Sequence, residues 1–162
     1  MGTGVGPSFG NTAGSLDIAD WISRYERNVS PEEADFAKKV KAVKMAFNSN
    51  GTITEESIRE NVDAFCGKGT DVYVAALESI GYKVNVRKSS ISKSGAVIVE
   101  VKNMSKERNV SQIQVSPGGG RHGNLPYVKI STTNSGIFKI VDGSESDYNT
   151  VGNEKATILF RR

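Results

Sequence analysis

One stretch of the chain, residues 116–132, concentrates the side chains that could do chemistry. It carries the only histidine of the sequence, His122, beside Arg121, in a glycine run that includes Gly119 and Gly120. Glycines adopt backbone conformations closed to other residues and leave their N–H groups accessible to an anion. A histidine that titrates near neutral pH, beside a guanidinium with forked donors, can bind a phosphate and move a proton next to it.

The strand predicted at residues 127–132 extends this chemistry. Its alternate residues Tyr127, Lys129 and Ser131 share one face, and the apolar residues between them share the other. The first face is therefore basic and bears hydroxyl groups. An ordinary strand with one wet face also explains Lys129, and it explains Lys139 in the following strand equally well.

The composition fits one globular domain of 162 residues, with 37% hydrophobic and 24% charged residues. No apolar run approaches the roughly 20 residues that span a bilayer, and no export signal is visible. The single cysteine, Cys66, excludes an internal disulfide and fits a reducing site of action.

The net charge of +3 conceals a division between the two halves of the chain. Residues 1–81 hold 8 basic and 12 acidic side chains, whereas residues 82–162 hold 13 and 6. The basic half points to a polyanionic partner. A solvated basic surface is an equally weighted alternative on charge alone.

Residues 1–15 are rich in Gly, Ser and Thr, which is typical of a flexible linker, and residues 16–162 are expected to form a single domain. Residues 16–81 show apolar side chains at helical spacing. Ser30, Pro31 and Glu33 form the clearest helix start, a capping box with proline at the first position. The predicted helices span residues 16–28, 31 to about 48, 55 to about 66, and 71–80, with Thr70 as the cap of the last.

From Tyr82 onward the apolar period changes to two, which predicts strands. Short connections between successive strands favour antiparallel pairing. Helices followed by a strand meander indicate an α+β domain, with the N-terminal helices packed on a C-terminal twisted antiparallel sheet. The six predicted strands span residues 84–86, 96–101, 110–115, 127–132, 136–141 and 156–160.

The sequence offers no recognisable metal or cofactor motif. One histidine and one cysteine cannot supply a zinc spacing. The glycine-rich turn is not a P-loop, because no Lys-Ser or Lys-Thr follows the glycines. We therefore expect no metal and no cofactor, although a magnesium site assembled in space stays open. The acidic residues of the second half are scattered, at Glu100, Glu107, Asp142, Glu145, Asp147 and Glu154.

Metal-free acid–base chemistry on a basic surface suits RNA. The RNA 2′-hydroxyl can attack the adjacent phosphate when a base removes its proton and an acid protonates the departing 5′ oxygen. His122 would serve as base or acid, Arg121 and Lys129 as positive charges beside the phosphate, and neighbouring hydroxyls as hydrogen-bonding partners. DNA lacks the nucleophile, so the same residues would bind it without cutting it.

Residues 120–132, together with residues 136–143 and 153–160, resemble the C-terminal toxin modules of bacterial polymorphic toxins used in competition between cells. The order of helices before a small antiparallel sheet is similar to the superfamily that joins barnase, EndoU, the tRNA-cleaving colicins and RelE-like toxins (BECR). The motif-level resemblance covers about residues 115–160.

Members of that superfamily are ribonucleases that act without metal, so the resemblance implies an endoribonuclease that leaves a 2′,3′-cyclic phosphate, with tRNA as one candidate substrate. EndoU-like enzymes use two histidines, and this chain has one. Lys129 or Tyr127 would therefore have to supply the second proton-transfer role. The resemblance implies the catalytic residues His122, Arg121, Lys129, Ser131 and Thr157. Expected substrate contacts are Gly119, Gly120, Tyr127, Thr132 and Lys139.

The resemblance also implies delivery as the tail of a larger secreted or cell-surface protein, action in the target-cell cytoplasm, and no membrane partner for the isolated domain. The expected protein partner is a cognate immunity protein, acidic enough to cover a basic cleft. Two other functions remain open from the residues. One is a metal-dependent DNase toxin, and the other is a non-catalytic module that binds RNA or phosphate.

Overall fold

The computed structural model describes residues 30–91, 95–118, 125–148 and 154–161. The predicted linker and first helix, and residues 119–124 with Arg121 and His122, lie outside the described residues. The chain falls into two compact units, residues 1–37 and 38–162. The described elements are helices α1 (Pro31–Lys44), α2 (Glu55–Glu60) and α3 (Thr70–Ser79), and strands β1 (Val84–Lys88), β2 (Val97–Val101), β3 (Val110–Ser116), β4 (Tyr127–Thr132), β5 (Ile137–Val141) and β6 (Thr157–Phe160).

The described part of the first unit is the beginning of α1. The Glu33 N–H donates to Ser30 Oγ at 3.1 Å, and Glu33 Oε1 accepts from the Ser30 N–H at 3.3 Å. These reciprocal bonds confirm the predicted capping box, which satisfies two backbone donors at the helix start.

In the second unit, helices pack on one face of the sheet and enclose the core. Four neighbouring strands contribute one continuous row of side chains, Val99, Ile113, Ile130 and Phe138, each at most 1% exposed. The helices contribute fully buried Leu77 and its neighbours from the other side. The predicted α+β architecture is confirmed. No helix in the described ranges is long and apolar enough to cross a membrane.

The six strands form one sheet in sequence order. Strands β1 to β5 pair antiparallel, as predicted, but β6 runs parallel to β5. The reason is the length of connection 142–156, which can return the chain to the end of the sheet where β5 began. The expectation of a purely antiparallel meander is therefore wrong for the last strand.

Three helix boundaries also differ from the prediction. Helix α1 ends at Lys44 and not near residue 48, and Phe47 beyond it pairs with Ile53 in a β-bridge. The third predicted helix divides into α2 and a short 3-10 helix, Val62–Phe65, because Asn61 leaves the helical region at φ −129°. Its side-chain amide instead donates to the Ser57 carbonyl at 2.8 Å. Thr70 lies inside α3 rather than capping it, with Gly69 at the N-cap position.

Asn109 fastens the segment before α2 to the sheet. Its side chain is buried, accepts from the Ile53 N–H and donates to the Ile53 carbonyl, both at 2.8 Å. It also donates to Asn134 Oδ1 at 2.9 Å. Ile53 is fully buried, so nothing else in its described surroundings replaces these bonds if Asn109 is truncated.

We expect Asn109→Ala to lower the free energy of unfolding by about 2–3 kcal/mol, because two buried backbone groups lose their partners. Urea denaturation followed by circular dichroism measures the change. Asn134→Ala is the control, since it removes only the exposed end of the network. A variant Asn109→Ala within about 0.5 kcal/mol of wild type would contradict this role.

Candidate functional site

Two central strands carry polar side chains on the face of the sheet that does not pack on the core helices, where some of these side chains are buried and the others partly buried. The register pairs Ser116 with Tyr127, Gln114 with Lys129, and Gln112 with Ser131, and paired residues of antiparallel strands point to the same side. These six residues are called the polar face below. The prediction that Tyr127, Lys129 and Ser131 share a face is confirmed.

On β5, Lys139 stands directly opposite Lys129. Lys139 is only 4% exposed, and its ammonium contacts Glu154 Oε1 at 2.6 Å and the Tyr148 hydroxyl at 3.1 Å. The Tyr148 hydroxyl donates to the same Glu154 oxygen at 2.9 Å. We call Lys139, Glu154 and Tyr148 the Lys139 cluster. An ammonium this buried requires a counter-ion, and Glu154 provides it.

Tyr127 joins the Lys139 cluster to the polar face. The Lys139 ammonium lies 4.5 Å from the centroid of the Tyr127 ring, within the range of a cation–π contact. The Tyr127 hydroxyl accepts from the Gln114 amide at 3.4 Å. The ring is therefore held from β5 and the hydroxyl from β3. This arrangement fixes where the Tyr127 hydroxyl is presented on the face.

The connection that carries the predicted histidine turn is anchored on both sides. The Gly118 N–H donates to Ser116 Oγ at 3.2 Å as the chain leaves β3. On its return, the Pro126 carbonyl accepts from the Asp142 N–H at 2.9 Å. Leu125 packs so closely on Gly143 that an added Cβ there would lie 2.7 Å away from it. Both ends of the connection thus meet the sheet beside Tyr127.

Three predicted residues are not among the six of the polar face. Thr157 pairs with Phe138 in parallel register, so it lies on the helix side of the sheet, where it is exposed. The Thr132 hydroxyl donates to the Gly136 carbonyl at 2.7 Å and accepts from Ser135, which closes the β4–β5 turn. Lys139 was expected to contact substrate, but its ammonium is enclosed by its cluster. The other predicted residues, Arg121, His122, Gly119 and Gly120, lie outside the described ranges.

Sequence reasoning missed Glu154, Tyr148 and Gln114. A signal was present for the first, because Lys139 interrupts the apolar run of β5, and a lysine that is buried in such a run needs a counter-ion. The sequence alone does not identify which carboxylate is the counter-ion of Lys139. Gln114 could have been found from the alternation in β3, where every second residue is polar.

The charges near the polar face are partly balanced. On β2, Glu100 pairs with Gln112 in the register, and the Lys102 ammonium at 2.8 Å lowers the pKa of the Glu100 carboxyl.

Burial and the nearby Asp142 carboxylate raise the pKa of the Cys66 thiol to about 11, so this thiol stays neutral at physiological pH. Among the described residues, no three His, Cys, Asp or Glu side chains form a group that could hold a metal ion.

Comparison with known proteins gives no match: no family model, no curated protein and no solved structure matches this chain. The site is therefore interpreted from its own residues.

The Lys139 cluster yields a stability prediction. We expect Glu154→Gln to lower the free energy of unfolding by about 2–4 kcal/mol, because it leaves the Lys139 ammonium buried without a counter-ion. The double variant Lys139→Met/Glu154→Gln should recover part of this loss. Urea denaturation of the single and double variants measures the coupling. Tyr148→Phe, which removes only the hydroxyl, is the control and should cost about 1 kcal/mol. Equal losses in Glu154→Gln and the double variant would argue against a buried ion pair.

Proposed function

We propose that this protein is a metal-independent endoribonuclease whose substrate phosphate binds on the polar face. The observation that carries the proposal is the row of six polar side chains on central strands β3 and β4, next to the connection with the only histidine. Central strands that are hydrogen-bonded on both sides form a rigid platform, which suits positioned acid–base groups.

The burial of Lys139 supports different roles for Lys139 and Lys129. The ammonium groups of Lys129 and Lys139 belong to directly opposite residues and repel each other. The Glu154 carboxylate neutralises the charge of Lys139. Lys129, which is half-buried on the neighbouring strand, is the lysine that we assign to the substrate phosphate. In the proposed reaction, Lys129 stabilises the extra negative charge that develops on phosphorus.

The proposed step is an attack of the RNA 2′-oxygen on the neighbouring phosphorus. His122 takes or delivers one of the two protons, and Tyr127 or Lys129 handles the other. The 2′-oxygen-to-phosphorus bond forms, the bond to the 5′ oxygen breaks, and that oxygen receives a proton. The products are a 2′,3′-cyclic phosphate and a 5′-hydroxyl end. Ser131 and Arg121 would hydrogen-bond the phosphate oxygens.

The proposal also includes the protein partner of the domain and the cell in which the domain acts. The basic second half would be covered in the producing cell by an acidic immunity protein, and the domain would be delivered to another cell as part of a larger protein. Measurable support would be tight binding of an acidic partner that competes with RNA for the polar face.

Cleavage of purified total RNA in the presence of EDTA tests the reaction. We expect wild type to cut RNA and leave plasmid DNA intact, and to generate 2′,3′-cyclic phosphate ends detected by mass spectrometry. His122→Ala should lower the rate by about 100-fold or more, because one proton-transfer group is lost. Lys129→Met should lower it by about 10- to 100-fold, whereas Lys83→Met, at an exposed lysine before β1, should have little effect.

Different outcomes identify the alternatives. DNA cleavage that appears only with magnesium would replace the proposal with a metal-dependent DNase. Salt-dependent RNA binding without cleavage would favour a non-catalytic module. Equal loss of activity in Lys129→Met and Lys83→Met would show that RNA cleavage depends on the total positive charge of the protein and not on the polar face.

The two faces of the sheet give a second prediction. We expect Ser131→Ala to lower RNA cleavage about tenfold, because it removes a hydroxyl from the polar face. Thr157→Val should leave cleavage within about twofold of wild type, because Thr157 lies on the opposite face. Initial rates on one fluorogenic RNA oligonucleotide measure both. A larger loss for Thr157→Val than for Ser131→Ala would reverse this assignment.

A further inference from the structure

The helix side of the sheet carries a pocket of about 350 Å³ at the end where the histidine connection leaves and returns. One wall is the loop before α3, which contains Cys66, Lys68 and Gly69, and the other is the end of the sheet. Its volume lies at the lower end of the roughly 300–1,000 Å³ of small-molecule sites. The pocket therefore has room for one ring system of modest size.

The floor of the pocket is one apolar row across four strands. Val97 pairs with Val115, Val115 with Val128, and Val128 with Ile140. The next row inward is fully covered, but Val97 and Val115 are only partly buried. Within the described part of the chain, Val97 and Val115 thus stay partly exposed at this end, and an apolar surface of this kind favours contact with a flat, apolar ring face.

The rim of the pocket supplies hydrogen-bonding groups. The polar residues Lys68, Thr70 and Asp142 border it, and the Asp142 carboxylate lies close enough to the Cys66 thiol to interact with it. One oxygen of Asp142 accepts from Arg161 at 3.3 Å. A carboxylate has about four acceptor positions, so Asp142 has capacity for another donor.

Two residues connect the pocket with the proposed reaction site. Tyr127 and Ser116 border the pocket, and their side chains lie on the polar face on the other side of the sheet. A chain whose phosphate lies on the polar face would reach the pocket with its neighbouring group by passing around the end of the sheet. The combination of an apolar floor with a polar rim matches a planar heterocycle that has apolar faces and hydrogen-bonding edges.

We infer that this pocket binds a nucleobase next to the cleaved phosphate, and that Asp142 selects bases with an exocyclic amino group. This inference rests on the proposed function. A carboxylate only accepts hydrogen bonds, so it favours the amino groups of adenine, cytosine and guanine. Uracil offers one ring N–H between two carbonyl acceptors, which the carboxylate repels. RNA cleavage should accordingly be disfavoured where uridine occupies this position.

Titration with free nucleosides tests base recognition separately from phosphate binding and cleavage. Adenosine, cytidine and uridine are added to the full chain, and amide chemical shifts are followed by NMR. We expect adenosine and cytidine to bind about tenfold more tightly than uridine. Asp142→Asn should bring the ratio close to one, whereas Arg161→Gln, which removes the ion pair but keeps the carboxylate, should preserve it.

Filling the pocket provides a matched pair of variants. Val97→Phe should weaken binding of all three nucleosides about tenfold or more. Val86→Phe adds the same bulk on the neighbouring strand, at a side chain 47% exposed and outside the pocket lining, and should not change binding. Thermal unfolding confirms that both variants fold.

The outcomes separate this inference from the proposed function. Nucleoside binding as expected, with RNA left intact, would keep the pocket assignment and overturn the ribonuclease. RNA cleavage without saturable nucleoside binding, or unchanged binding in Val97→Phe, would overturn the pocket. Equal affinity for uridine and adenosine in wild type would overturn the role of Asp142.

Discussion

The ion pair between Lys139 and Glu154 is the interaction on which the proposed site depends. A buried ammonium without a counter-ion is costly, so the chain must bring a carboxylate to this point of the sheet. Glu154 lies just before β6, and the pair therefore ties the last strand to β5. The same ammonium, on the polar-face side of the sheet, contacts the ring of Tyr127. Through that contact, one buried charge fixes both the edge of the sheet and the position of a hydroxyl at the proposed site.

The pleat of the sheet explains how one domain can hold a core and a reactive surface on the same strands. Alternate residues of β3 and β4 point to opposite faces. Ile113 and Ile130 are fully buried under the helices, while their neighbours Gln112 and Ser131 lie on the polar face. On that face the Gln114 amide donates a hydrogen bond to the Tyr127 hydroxyl. Polar side chains retained on central strands suit a functional surface better than a purely structural one.

Local patterns were sufficient to predict most of the fold. The capping residues Ser30 and Glu33 define the start of α1, and period-two alternation locates the six strands. The parallel pairing of β6 was not predictable in this way, because it depends on the path of a long connection. The same contrast holds for the candidate site: local patterns predict some of its features, and the others depend on three-dimensional packing. Alternation places Lys129 and Ser131 on one face, but only three-dimensional packing reveals that Glu154 approaches Lys139, 15 residues away in sequence. The face of Thr157 likewise follows from the register with β5, which no local pattern specifies.

The most direct test of the account is a crystal structure of the protein with a short 2′-O-methyl RNA, in which the blocked hydroxyl prevents cleavage. The account predicts a backbone phosphate within hydrogen-bonding distance of the Lys129 ammonium and the Tyr127 hydroxyl, with the Lys139–Glu154 pair intact beside it. RNA bound only at another surface, or a phosphate that contacts neither Lys129 nor Tyr127, would contradict the assignment of the polar face as the reaction site.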